Sequence, residues 1–157
     1  MLPLDGVRIV DLTTVVMGPL ATRMLADMGA DVIRVESPEG DVIRDYQPMR
    51  SPKMSAFGMN LNRNKRSIVL DFKDTDDRAT LDRLIATADV VVTNMRRSAL
   101  ARLGLDEAGV RAVKPDVIYC IANGYGSDGP KADDAAYDDV IQAASGLASM
   151  FSWGGDE

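Results

Sequence analysis

The chain has 157 residues, of which 46% are hydrophobic and 27% charged; this is the composition of one globular domain rather than a disordered or fibrous segment. A formal charge of −6 argues against a nucleic-acid partner, which requires a basic footprint. There is no histidine and a single cysteine, Cys120. Imidazole-dependent triads and bases, most zinc sites and internal disulfides are thereby excluded, and a reducing, cytoplasmic location is expected. No apolar run approaches the roughly 20 residues of a membrane helix, and Met1 to Asp5 has neither the basic start nor the apolar core of a secretory signal. No membrane partner is expected.

The first element is "VRIVDL", Val7 to Leu12, a β-branched apolar run that predicts a buried strand. Gly18-Pro19 punctuates it, and Leu20, Met24, Leu25 and Met28 then recur at helical spacing up to Gly29, a residue suited to the position just past a helix end. "ADVIRVE" predicts a second strand ending at Glu36. From Gly40 to Arg66, with Pro48 and Pro52, the chain reads as a long irregular excursion. "SIVLDF", Ser67 to Phe72, is a third strand. A helix from Asp76 to Ala88 comes next, with Leu81, Leu84, Ile85 and Ala88 on one face. "DVVVTN" reaches Asn94 as the fourth strand. A helix is expected to start near Ser98, and another runs from Leu105-Asp106 to about Lys114-Pro115. "DVIYCIAN" is the fifth strand. In "AAYDDVIQAASGL" Asp138 is placed as a helix N-cap, with Val140, Ile141, Ala144 and Leu147 on one apolar face.

Strands that are apolar throughout and alternate with helices predict a doubly wound, Rossmann-like α/β fold, a parallel sheet with helices on both faces. Ligands of such sheets bind beyond the carboxyl ends of the strands. A dinucleotide site is the first possibility there, with Glu36 as ribose ligand, but "TTVVMGP" has one glycine, Gly18, where the dinucleotide fingerprint requires three. A phosphate-bearing ligand fits better. Lys73 comes after the third strand, and Arg96, Arg97 and Arg102 come after the fourth, where a helix start and guanidinium groups favour an anion. Arg102 equally suits the dipole-favoured end of its short helix. Lys65, before the third strand, reads as an ordinary solvated loop lysine. "NGYGSDGP", Asn123 to Pro130, reads first as turns.

Four stretches, in order, carry a resemblance: "LDGVRIVDLTTVVMGPLATRMLADMGADVIRVESPEGD", "NRNKRSIVLDFKD", "ADVVVTNMRRSALARLGLD" and "GYGSDGP…YDDVIQAASGL". Together they resemble the opening part of a class III CoA-transferase, the group that includes formyl-CoA transferase, carnitine CoA-transferase and bile-acid-inducible CoA-transferase. The resemblance implies that the whole chain is the N-terminal part of the large CoA-binding domain, with the later domain and return segment absent, so the fold is incomplete relative to the family. It implies coenzyme A or acyl-CoA as substrate, no permanently bound cofactor and no metal, a carboxylate acceptor, and a homodimer in full-length form. Leu70, Lys73, Asn94, Met95, Arg96 and Arg102 match positions that contact CoA; Val16, Tyr137 and Asp138 match positions at the acyl-group pocket. The family's nucleophile is an aspartate beyond the "YDDVIQAASGL" helix, so the resemblance implies that no catalytic residue lies in this chain; Asp156 comes too early.

The family pattern has a glutamine where Val16 stands and a basic residue where Ser37 stands, which implies a lost amide donor and one weaker ligand contact. Related racemases carry a histidine at the position of Tyr137. Tyrosine, with a pKa near ~10, is a poor acid/base substitute at neutral pH, so transferase is the better reading. Two other readings stay open: a non-catalytic CoA-binding fragment or half of a split enzyme, and a Rossmann oxidoreductase domain.

Overall fold

A computed structural model describes residues 1–151. The chain divides into two compact units, Met1–Ala122 and Asn123–Glu157. The first unit is built on five strands, β1 (Arg8–Leu12), β2 (Asp31–Glu36), β3 (Arg66–Val69), β4 (Val90–Thr93) and β5 (Ile118–Ile121). They form one sheet in the order β3-β2-β1-β4-β5 with every pairing parallel. The chain steps from β1 to β2 to β3, then returns across the sheet to β4 and continues to β5. The direction therefore reverses between β1 and β4, the place where doubly wound sheets open a ligand crevice.

Helices α1 (Met17–Asp27), α2 (Ala56–Leu61), α3 (Thr75–Ala86), α4 (Arg97–Leu103) and α5 (Glu107–Val113) connect the strands. Their starts obey the chemistry of short acceptor side chains. Asp74 caps α3 by accepting from the N–H groups of Asp76 and Asp77, Asp106 caps α5 through Gly109, and Ser55 caps α2 through Gly58. α4 ends at Gly104, whose φ of +60 fits the left-handed C-terminal turn.

Alternate residues of a strand point to opposite faces, and here the two faces differ. Val10, Leu12, Val35 and Val91 pack with Leu81, Ile85, Leu100 and Val110 of α3, α4 and α5 in the main apolar cluster. The other face carries a smaller cluster of Ile9, Val32 and Val92 against Ala26 and Ala30. Asp11, Arg34 and Glu36, all buried, share the parity of this second face.

Two expectations change in detail. The stripe of Leu20, Met24 and Met28 is exposed, and α1 instead buries Gly18, Pro19, Thr22 and Ala26. Gly18, Thr22 and Ala26 are spaced by four, a row of small side chains that brings the helix close to the sheet. A Cβ on Gly18 would lie 2.3 Å from that of Thr13, which is why glycine stands there. The Gly40–Arg66 excursion is ordered: a 3₁₀ turn at Val42–Asp45 buries Ile43, and α2 buries Gly58 and Leu61.

In the second unit, the expected single helix is two, α6 (Asp138–Ala144) and α7 (Leu147–Phe151), interrupted at Gly146 with φ of +78. No residue of either helix is buried. Tyr137, not Asp138, is the N-cap of α6, and it makes no side-chain cap bond. Asp138 is the first helical residue and accepts from Gln142 Nε2 at 2.6 Å. Asp156 lies outside the described residues.

Candidate functional site

The carboxyl end of β1 runs into Thr13–Val16, and this loop is held from below. Asp11 Oδ1 accepts from the Thr13 N–H at 3.0 Å and from its hydroxyl at 2.5 Å. Asp11 Oδ2 accepts from the Thr22 hydroxyl at 2.6 Å and from Lys65 Nζ at 3.0 Å. Lys65 is therefore not the solvated loop lysine its sequence context suggests. Its side chain is 1% exposed beside an Asp11 side chain of 0%, and Nζ also donates to Pro19 O and to Thr22 Oγ1. An ammonium taken from water needs acceptors on every side, and the turn at Asn62 places Lys65 where β1 and α1 supply them. Burial pulls its pKa below the ordinary lysine value, against the opposing pull of Asp11.

Beside this group lies a second buried ion cluster. Arg34 Nε donates to Glu36 Oε1 at 2.8 Å and Nη2 to Asp41 Oδ2 at 2.5 Å. Arg44 holds both oxygens of Glu36 at 2.7 Å. Burial raises the Glu36 pKa, but the hydrogen bonds and charges of Arg44 and Arg34 outweigh it and leave the carboxyl below its usual range. Buried at 6% exposure and engaged by two arginines, Glu36 is a structural carboxylate, which weakens the support for a dinucleotide site.

On the sheet face covered by α3 and α4, Lys73 and Arg102 come together. The β3–α3 turn presents Lys73 and α4 presents Arg102, and with Ala99 and Leu103 they line one cleft of about 460 Å³. Both cations are exposed. Leu70 is buried in the apolar core at 3% exposure, so its side chain anchors the turn that carries Lys73. Met95 packs against the same core, and Arg96 is the exposed N-cap of α4. Asn94 uses its side-chain amide on the chain itself, accepting from the Thr14 main-chain N–H and donating to the Thr14 carbonyl, each at 2.9 Å. Ser37 hydrogen-bonds Glu39, whose carboxyl is held low by its own backbone, by this bond and by the charge of Lys73. Val16 is exposed at the start of α1. Tyr137 and Asp138 belong to the second unit, where Tyr137 is 68% exposed.

Sequence reasoning missed Asp11, Thr22, Arg34, Asp41 and Lys65 as a site-building set. The available signal was a charge inside an apolar strand, Asp11 in "VRIVDL" and Arg34 in "DVIRVE", since buried charges occur with partners. Among the described residues no cluster of histidine, cysteine or carboxylate groups is arranged to hold a metal, and no helix is long and apolar enough to cross a membrane.

The fold and the strand-end crevice define a doubly wound α/β protein with a cationic cleft. Residues 4–157 match the family model described as CoA-transferase family III, and the chain belongs to that family. It is 47% identical to the succinate–glutarate CoA-transferase of Agrobacterium fabrum over 94% of this chain and 39% of that protein. It is 42% identical to the human succinyl-CoA:glutarate CoA-transferase over 92% of this chain and 33% of the other. The crystal structure of a CAIB/BAIF family protein from Brucella suis superposes with a TM-score of 0.87 at 41% identity, covering 93% of this chain and 40% of that one. The chain thus spans between a third and two fifths of the length of such relatives.

Proposed function

We propose that these residues form the CoA-binding part of an enzyme that moves CoA from an acyl-CoA thioester to a carboxylate acceptor. One thioester and one carboxylate are exchanged for another pair, so neither water nor a redox partner is consumed. An aspartate beyond this chain attacks the thioester, and the reaction passes through an enzyme-bound anhydride and then an aspartyl-CoA thioester, dividing one difficult acyl transfer into easier steps. The supporting observation is the convergence of Lys73 and Arg102 on one cleft at the strand ends, in a chain of CoA-transferase family III. In this reading the two cations take the phosphate-bearing end of CoA, Asn94, Met95 and Arg96 border it, and Val16, Tyr137 and Asp138 border the acyl group. Short dicarboxylates are the favoured acceptors, because the relatives are named for succinate and glutarate and, at 40% identity, for oxalate. The complete protein works as a homodimer.

The test is equilibrium binding of CoA and dephospho-CoA to the complete gene product. A charge-assisted hydrogen bond is worth about 1.5–3 kcal/mol, so Lys73→Ala or Arg102→Ala weakens CoA binding about tenfold or more. Dephospho-CoA loses much of that sensitivity. Unchanged CoA affinity in both variants would place the site elsewhere.

A further inference from the structure

We propose that Asp41 and Asn94 are positioning residues that hold the Thr14–Val16 main chain in a strained conformation at the mouth of the crevice. Val15 has φ of +67, a region that β-branched residues almost never occupy and keep only where the surroundings over-determine it. Those surroundings are specific. Thr14 N–H donates to Asn94 Oδ1 and Thr14 O accepts from Asn94 Nδ2, each at 2.9 Å, so one side-chain amide pairs with the loop as a neighbouring strand would. Val15 N–H donates to Asp41 Oδ2 at 2.9 Å. Asp41 is itself fixed, since the same oxygen accepts from Arg34 and the other accepts from Ile43 N–H at 3.1 Å.

The Asn94 clasp joins the ends of β1 and β4, the two strands between which the sheet reverses direction, so it spans the opening where such folds bind ligands. Asp41 clamps the loop from the β2 side. Relaxed backbone would serve a plain connection between β1 and α1. A strained residue held from both sides serves to aim its neighbour Val16, the residue that the proposed function sets beside the acyl group. The inference rests on that reading for its consequence and on the hydrogen bonds for its geometry.

Glycine adopts a φ of +67 unaided, and this separates positioning from mere support. In the complete gene product, Asp41→Asn is expected to lower kcat of CoA transfer about tenfold or more, with KM for acyl-CoA little changed. In a Val15→Gly background the same substitution should lower kcat by less than about threefold, because the glycine no longer needs the clamp. An Asp41 that matters only as the partner of Arg34 would show no such rescue, and equal losses in the two backgrounds would overturn the proposal. Arg34 Nη1 is already buried without a partner among the described residues, so Asp41→Asn carries a risk of misfolding. Asn94→Ala leaves the Arg34 cluster intact and should cost about tenfold in kcat and expose the Thr14 amide to hydrogen exchange. Parent-like turnover and exchange in that variant would also overturn the proposal. A parent protein that binds no acyl-CoA would overturn the underlying function, an outcome distinct from either of these.

Discussion

The sheet face under α3, α4 and α5 is filled by Val10, Leu12, Val35 and Val91, packed on Leu81 and Ile85 of α3, whereas the face under α1 changes character along the strands. At its amino end Ile9 and Val32 meet Ala26 and Ala30; at its carboxyl end Asp11, Arg34 and Glu36, with Val92 in register beside Asp11, meet Lys65, Asp41 and Arg44. Apolar burial is non-directional and stabilises in proportion to area. Buried ion pairs carry a desolvation cost that well-packed apolar residues avoid, but charge-assisted hydrogen bonds fix direction. The charges stand where the loop after β1 has to be aimed, and the apolar face stands where only stability is required.

The sharpest way to break that contrast is to remove one charge. Lys65→Ala leaves the Asp11 carboxylate buried with only the Thr13 and Thr22 groups as donors, an uncompensated charge that costs about 3–5 kcal/mol. Urea unfolding measures it. The double variant Lys65→Met with Asp11→Leu should recover only part of the loss, because it removes the buried charges together but leaves the Thr13 N–H and the Thr13 and Thr22 hydroxyls without their acceptor. On the other face Leu81→Ala opens a cavity at a fully buried position and should cost about 3 kcal/mol, with no partner substitution able to rescue it. Lys65→Ala with parent-like stability would remove the distinction.

Much of the apolar face was legible in the sequence, because β-branched runs and the Leu81, Leu84, Ile85 spacing state their periods locally. The second face was not. Asp11 and Arg34 are visible as charges in apolar strands, but Lys65 lies 54 residues from Asp11, and only the folded topology brings them together. Periodicity found α1 without revealing its packing: the large Leu20, Met24 and Met28 face outward while small Gly18, Thr22 and Ala26 are buried. The four-residue turn at Val42–Asp45 and six-residue α2 are too short to display a helical period. Of the candidate site, Lys73 and Arg102 were legible as cations placed after successive strands. The bonding of Asn94 to the Thr14 backbone leaves no trace in the sequence, since an asparagine in a loop reads as an ordinary turn residue.

A smaller effect separates the faces by pH. Arginine partners hold Glu36 below its ordinary value of 4.5, against the pull of burial, and Asp27, at the end of α1, is held at about 2 chiefly by its hydrogen bond from Arg63. A folded-state pKa below the unfolded one means that the unfolded chain binds more protons as the pH drops. The stability these groups contribute is therefore full above about 4.5 and lost as pH falls through their folded values toward 2. Melting temperature should be level from neutral pH to about 5, then fall, and Glu36→Gln should soften the upper part of that fall. Leu81→Ala should shift the whole curve down in parallel. A melting temperature level down to about pH 2.5 would count against the charged face as a source of stability.

The smallest expected effect tests a hydrogen bond on the apolar face. Tyr119 pairs in register with Val91, so it points to that face, and its hydroxyl donates to Leu105 O at 2.8 Å. Burial, helped by the charge of Asp106, pushes its pKa up to about 12. Here the folded value lies above the unfolded one, so the contribution is complete below the ordinary 10.0 and lost as pH rises through about 12. Tyr119→Phe should cost about 1 kcal/mol at pH 7, and urea unfolding at about pH 11 should show the gap between parent and variant narrowing, because only the parent has a phenol to ionise on unfolding. A neutral hydrogen bond lost with its donor leaves one carbonyl to be satisfied, whereas Lys65→Ala leaves a full charge. If Tyr119→Phe costs as much as Lys65→Ala, the two faces do not differ in kind, and the polar end of the second face is no more than one way of packing a sheet.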